Sequence, residues 1–527
     1  MRRAVLLAAT AAAAFVPVAG AAAIRGTARA DSLLGTQRAD VISGLGGADR
    51  IVGRGGADLV VAGTGGDRVE AGSGDDRVAL DQDGARDRVA CGPGRDLVTA
   101  DREDTVAADC EVVTLAISRD PYRTPAGQHR TQVEPDSLAH GSTIVTTFQS
   151  GRFFDGGAAN IGVSTSTDGG RTWTPTFLPG LSAYSTPPGA HPRVSDPAVA
   201  YDDAHGTWLV ATLGVSPALT ELLVSRSVDG IRWDPPVVAA RSLARSLAYD
   251  KEWLVCDSWP SSPLRGRCYL AYTDVLRGEL VVQTSGDGGL TWGGPVSLGD
   301  GFFAMPVVQP DGGLVVCYLT GTGSRPTLVA ARSPDGGAGF GATATIAELA
   351  PSSTGGLRAP PVPSAEVAAD GRVVVVWHDA RFRAQADVVL SSSLDGVSWT
   401  PPARVPAVPA GSRLEPFVPG VGVDPASAGT STRIAVVLYA YAPGAGVDAW
   451  LVTSADGGAR WSRPQRLTAR TMAIPWIADT NQGRMLADYL SVSWVDGRPV
   501  PVFSVASEPG VGPPRFRQAI AATVRGT

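Results

Sequence analysis

A turn motif repeated six times constrains this chain more than any other feature. The copies are Ser166-Thr-Asp168-Gly-Gly170-Arg-Thr-Trp173, Ser227-Val-Asp229-Gly-Ile-Arg-Trp233, Ser285-Gly-Asp287-Gly-Gly-Leu-Thr-Trp292, Ser333-Pro-Asp335-Gly-Gly-Ala-Gly-Phe340, Ser393-Leu-Asp395-Gly-Val-Ser-Trp399 and Ser454-Ala-Asp456-Gly-Gly-Ala-Arg-Trp461. Their aspartates stand 61, 58, 48, 60 and 61 positions apart. A repeat of that length, holding several short strands, predicts a radial array of small sheets such as a propeller. The 64 Gly and 40 Pro supply the turns that an all-β chain of this kind needs.

Nearer the N-terminus the period changes to nine. Asp31, Asp40, Asp49, Asp58, Asp67 and Asp76 follow one another at that spacing, each with an apolar residue two positions later: Leu33, Ile42, Ile51, Val60, Val69 and Val78. Gly47, Gly56, Gly65 and Gly74 precede their aspartates by two, and Asp87-Arg-Val89 and Asp96-Leu-Val98 continue the pattern more loosely. This resembles the haemolysin-type (RTX) nonapeptide, and the resemblance implies a short parallel β-roll with a thin apolar core. Stacked carboxylates repel unless a hard cation or a hydrogen-bond donor lies between them. The resemblance therefore implies Ca²⁺ at Asp40, Asp49, Asp58, Asp67 and Asp76. Two other readings remain open: that Arg50, Arg68, Arg77 and Arg88 act as the counter-charges, or that the aspartates only cap turns.

Arg2 and Arg3 precede an apolar run from Ala4 to Val18, with small residues at Ala19-Gly-Ala21 and Ala21-Ala-Ala23. This reads as a signal peptide over residues 1–23, with an uncleaved anchor as the alternative. The mature chain is then exported and has no other stretch long enough to span a membrane. Five cysteines suit an oxidising compartment. Cys91 and Cys110 flank one Gly- and Asp-rich segment and Cys256 and Cys268 a hairpin-like one, so each pair is expected to bridge, stabilising by about 3 kcal/mol. Cys317, in Leu314-Val-Val-Cys-Tyr-Leu319, reads as a buried small hydrophobe. A net charge of −6 and a pI near 5.5 argue against nucleic acid as partner.

The six turns match the Asp-box, or bacterial neuraminidase repeat, of the sialidase superfamily. Asp is suited to take backbone N–H groups, Gly permits φ > 0, and Trp inserts into the sheet packing. The resemblance implies a β-propeller over residues 113–527, after a roll over residues 24–112. Around the fifth box the strands read as 363–367, 372–377 and 387–390, with a fourth after Trp399. Three strands within 488–494, 500–503 and 516–524 remain without a box, and Glu111–Ile117 can supply their fourth. The count is seven blades closed by pairing the two ends of the chain, with six as the alternative.

In that superfamily ligands bind on the face opposite the boxes, near the axis. Candidates falling there are Arg193, Asp196, Lys251, Glu252, Asp274, Arg358, Glu366, Asp379, Arg381, Arg383, Glu415, Arg484, Asp488 and Tyr489. Asp379, Arg381, Arg383, Glu415 and Tyr489 are the catalytic candidates. A sialidase needs three Arg for the sugar carboxylate, a Tyr nucleophile with a Glu partner, and an acid/base Asp. Val133 stands where the first Arg belongs if Pro135 matches the family's Pro, and Ser150 where the acid/base belongs if Arg152 matches Asp-x-Arg. Three functions compete: a secreted module binding extracellular glycan or another cell-surface polymer, an exo-acting glycoside hydrolase or lyase with a relocated site, and a structural role at the cell envelope.

Overall fold

The computed structural model describes residues 22–80, 82–124, 127–244, 247–321, 325–350, 352, 354–509 and 516–526. The expected signal peptide therefore lies outside the described residues except for its last two. Among the described residues all regular structure is β apart from two single 3₁₀ turns.

The nine-residue period builds a parallel roll of two facing sheets. Ala23–Arg25, Val41–Ser43, Leu59–Val61, Arg77–Ala79, Leu97–Ala100 and Val112–Ala116 form one sheet. Ser32–Leu34, Arg50–Val52, Arg68–Glu70, Arg88–Ala90 and Thr105–Val106 form the other. One nonapeptide is thus half a coil, and Ile42 stacks on Val60 in register one full coil later. Ile42, Ile51, Val60, Val69, Val78, Val89 and Val98 fill the interior. Gly47 turns with φ 102°, and a Cβ there would meet the Arg29 carbonyl carbon at 2.3 Å, so the coils stack this closely only with glycine. The Cys91–Cys110 bridge closes the far end of the core.

Beyond the roll, six antiparallel four-stranded units follow in chain order among the described residues. In each, one Ser-x-Asp-Gly turn joins the third strand to the fourth. Asp287 shows how the turn holds: Oδ1 accepts the N–H groups of Leu290 and Thr291 at 3.0 and 2.9 Å, Oδ2 accepts the Thr291 hydroxyl at 2.5 Å, and the Ser285 hydroxyl donates to Oδ1. The first strands are Gln132–His140, Arg193–Asp202, Tyr249–Cys256, Phe302–Val308, Ser364–Val367 and Glu415–Val423. A last unit runs Ser491–Val495, Arg498–Ala506 and Gln518–Arg525, and Val112–Ala116 adds antiparallel to its outer edge. Each first strand packs on the next, and Ser491–Val495 packs on both Glu415–Val423 and Gln132–His140.

The strands between two such sheets are apolar on both faces, which is why they read as continuous runs rather than alternations. In Val373–Asp379, Val373, Val375 and Trp377 pack toward the preceding sheet with Val315 and Cys317, while Val374 and Val376 pack toward the following sheet with Val436 and Leu438. Cys256 and Cys268 are bridged and Cys317 is a buried thiol, pushed up to about 12 by burial.

Candidate functional site

In the roll, each register aspartate receives a backbone N–H from the coil before it: Asp31 donates to Asp49 Oδ1 at 2.8 Å, Asp40 to Asp58 at 2.7 Å, Asp49 to Asp67 and Asp58 to Asp76 at 2.8 Å. That uses one oxygen. The other, Oδ2, of Asp49, Asp58, Asp76, Asp87 and Asp96 is buried without a hydrogen-bond partner. Burial pushes Asp58 and Asp87 up to about 7 and Asp76 up to about 6. A Cβ on Gly44 would lie 2.4 Å from Asp49 Oδ2 and 2.0 Å from the Ala62 carbonyl oxygen, and Gly53 stands likewise to Asp58 and Ala71. Glycine thus leaves carboxylate and carbonyl oxygens converging, a donor set that fits Ca²⁺. No cluster of three or more metal-ligating side chains forms among the described residues, so backbone carbonyls must complete any such site. Asp40 differs: Thr36 donates to its Oδ2 at 2.6 Å and Ala22 to its Oδ1 at 3.0 Å. Arg50 and Arg68 do not serve as counter-charges to the column, since both reach Glu70 on the outer surface.

A second concentration of charge lies where the first strands of the sheets begin. Glu134, Asp196, Lys251, Phe303 and Val418 occupy the same place in five of those strands, and all have left-handed backbone, with φ between 47° and 58°. The pairing register slips at each, between Val133 and Asp136, Ser195 and Ala198, Asp250 and Trp253, Phe302 and Met305, and Phe417 and Gly420. These bulges re-aim side chains out of the sheet alternation. Lys251 Nζ consequently lies 3.2 Å from Glu134 Oε1, 3.3 Å from Asp196 Oδ1 and 3.1 Å from Asp488 Oδ2. Arg358 completes the group with a bidentate pair to Asp488, its Nε donating to Oδ1 at 2.8 Å.

The electrostatics are those of a closed network. Burial works against Asp488, but Lys251 and Arg358 outweigh it and hold its carboxyl well below the usual range. Glu134 is pushed by burial up to about 8 despite Lys251. Glu252 is buried with both carboxyl oxygens unpartnered, and burial beside Asp196 holds it well above its ordinary value. Arg152 is buried too, donating to the Gly157 carbonyl at 3.1 Å and to Met485 Sδ at 3.2 Å. Met485 belongs to the long connection over residues 467–490. That segment is tied to the first sheet by Asn481 N–H donating to the Phe154 carbonyl, and to the strand-free segment before the fifth by Arg358 N–H donating to Arg484. Ile477, Ala478, Met485, Leu486 and Ala487 on it are buried.

The catalytic candidates separate into three places. Tyr489 joins the lysine cluster, with its ring 5.0 Å from Lys251 Nζ and edge-on to Trp253. Its hydroxyl donates to the Pro197 carbonyl at 3.3 Å, and burial holds its pKa well above the ordinary value. Asp379 and Arg381 grip each other, with Arg381 Nε 2.9 Å from Oδ2 and Trp377 Nε1 donating to the same oxygen at 3.0 Å. Arg383 turns away to Asp387 at 2.8 Å and to the Leu414 carbonyl, beside half-buried Glu415. Of the wider group, Arg193 pairs with Asp155 at 2.9 Å, Asp274 with Arg277 at 3.7 Å and Arg484 with Asp479 at 3.7 Å, while Glu366 lines a cavity between the first strands. Glu134 escapes the sequence reading. The signal for it is an acid–Pro pair at one repeat position, Glu134-Pro135 and Asp196-Pro197, answered by Lys251 at the same position in the next strand.

Three aromatic side chains, Phe154, Tyr184 and Phe382, are exposed in the connections on this face, and Arg193 lies over the Phe153 ring at 5.1 Å.

The RTX calcium-binding nonapeptide repeat model matches residues 25–60 and 52–83. No curated protein matches the chain. Similar solved structures include a protein of unknown function from Dyadobacter fermentans, 18% identical over 65% of this chain and 97% of that one, with a TM-score of 0.43. They include the Hadza microbial sialidase Hz136, 17% identical over 75% and 66%, with a TM-score of 0.39. A polysaccharide lyase of family PL25, an ulvan lyase, is 11% identical over 78% and 96%, with a TM-score of 0.46. Those likenesses assign no chemistry to this chain. The N-terminal match agrees with the observed coils: residues 25–83 carry RTX calcium-binding nonapeptide repeats.

Proposed function

We propose that this is an exported, calcium-stabilised propeller that binds an extracellular glycan or another cell-surface polymer without standard sialidase turnover. On this reading residues 1–23 are the signal peptide, 24–112 the roll, and 113–527 seven blades whose Asp-boxes face away from the ligand. Closure is supported by the ring of packed first strands and by the strand from Val112 to Ala116 that completes the seventh sheet. The observation that carries the functional reading is the state of the central cations. Lys251 and Arg358 are neutralised by the chain's own carboxylates and Arg152 lies under Met485, so none is left to clamp a sugar carboxylate.

The rim has what a binding surface needs. Phe154, Tyr184 and Phe382 offer apolar faces to sugar rings, and Arg193 lies over the neighbouring Phe153 ring. A glycan array with the exported protein tests this. Retention of a defined set of glycans, weakened on the order of tenfold by Phe154→Ala or Phe382→Ala, is expected. Absence of any retained glycan or polymer overturns it. A hydrolase built on Asp379, Arg381, Arg383 and Glu415 is the second reading, favoured by Glu415, whose carboxyl is raised by burial as an acid catalyst requires.

A further inference from the structure

On the far side of Trp253 and Tyr489 from the lysine cluster, a cavity of about 380 Å³ runs along the axis, lined by all seven first strands. Its mouth is formed by His140, Tyr201 and Trp259 at the hairpins between first and second strands, on the same face as the Ser-x-Asp-Gly turns. This is the opposite face from the aromatic rim, so the site does not rest on the glycan reading.

Apart from His140 at the mouth, the charged side chains of the lining are acidic. Asp136 and Glu366 face the space, and neither Lys nor Arg lines it. Asp136 is engaged, accepting the N–H groups of Ser137 and Val199 at 2.9 and 2.8 Å. Glu366 is exposed to this space and faces it openly. Two carboxyl groups lining one space repel, and a cation between them and the wall relieves that cost. Tyr201, Trp253, Trp259 and Trp494 share the lining with aliphatic side chains of the first strands.

We propose that this axial cavity binds a small quaternary ammonium group. Aromatic faces attract a weakly hydrated cation, and a nearby carboxylate supplies the opposite charge. A hard metal ion needs six or more oxygens, and Asp136 has already committed its own to backbone N–H groups. An anion meets two carboxyl groups, and a neutral apolar guest leaves Glu366 unmatched. The volume sits at the lower end for small-molecule sites, which suits a compact cation.

The test is calorimetry and tryptophan emission on the full-length, calcium-loaded protein, titrated with tetramethylammonium and with neopentyl alcohol as a neutral probe of the same shape. Saturable binding of tetramethylammonium at least about tenfold tighter than the alcohol is expected. Glu366→Gln keeps the side-chain volume and is expected to weaken it about tenfold with an unchanged circular dichroism spectrum. Trp259→Leu, at the mouth and away from the carboxyl groups, is expected to weaken it as well, and reads the site if the glutamine variant does not fold. Equal affinity for the two probes overturns the proposal, as does no saturation up to about 10 mM. So does unchanged affinity in a folded variant, or displacement of the probe by added Ca²⁺, which marks a metal site instead.

Discussion

Lys251, the only lysine of the chain, stands in left-handed backbone with its ammonium among three buried carboxylates. Removing it leaves those groups without their cation, so Lys251→Met is expected to cost about 3–5 kcal/mol in urea unfolding. A change below about 1 kcal/mol contradicts the network described here. The contacts join residues 117 and 55 positions apart and depend on bulges that sequence periodicity does not reveal. The turn aspartates are the opposite case, because every bond of Asp287 is made within four residues and the motif can be read directly. Burial raises the Asp287 carboxyl, but the Thr291 hydroxyl and N–H and the Ser285 hydroxyl outweigh it and hold it at about 2. A depressed folded value means the carboxylate stabilises above the unfolded pKa of about 4, and that stability is lost as pH falls through about 2. Asp287→Asn is therefore expected to lower Tm at pH 7 and to lose less than the parent on acidification. Equal acid sensitivity of the two proteins contradicts that role.

At the scale of elements, one strand belongs to two structures. Val112–Ala116 is the last rung of a parallel sheet of the roll and the outer edge of the final antiparallel sheet. Thr114 bonds Thr523 at 2.9 Å and the Leu467 carbonyl at 2.8 Å, and Arg525 donates to the Cys110 carbonyl at 3.0 Å beside the bridge. Ordering of the roll by a cation is thereby carried into the rest of the chain. Ca²⁺ at about a hundred times its Kd is expected to add about 2.7 kcal/mol and to raise a single cooperative transition in scanning calorimetry. Two transitions, of which only the smaller moves, contradict the coupling. The roll was legible because its period is strict and its core is one residue deep. Its cation sites were legible only in outline: the free Oδ2 atoms and the converging carbonyls depend on how coils 18 residues apart stack.

At the scale of the whole molecule, the sheets follow from the turn motif, but the chemistry of the face opposite the turns does not. Val133 and Ser150, where the resemblance expects an Arg and an acid/base Asp, are both buried in the structure. The connection over residues 467–490 carries no repeat signal, yet it packs on Arg152 and Arg358 and decides what that face presents. On the proposed reading these cations serve the protein's own carboxylates and backbone rather than a substrate. Release of a fluorophore from a sialoside by the purified, calcium-loaded protein measures it most directly. Loss of an acid/base costs about 10²–10⁴ in rate, and loss of the carboxylate clamp adds to that, so turnover far below about 1 s⁻¹ is expected. Turnover at or above about 1 s⁻¹, abolished by Asp379→Ala or Arg381→Ala in a folded protein, contradicts it.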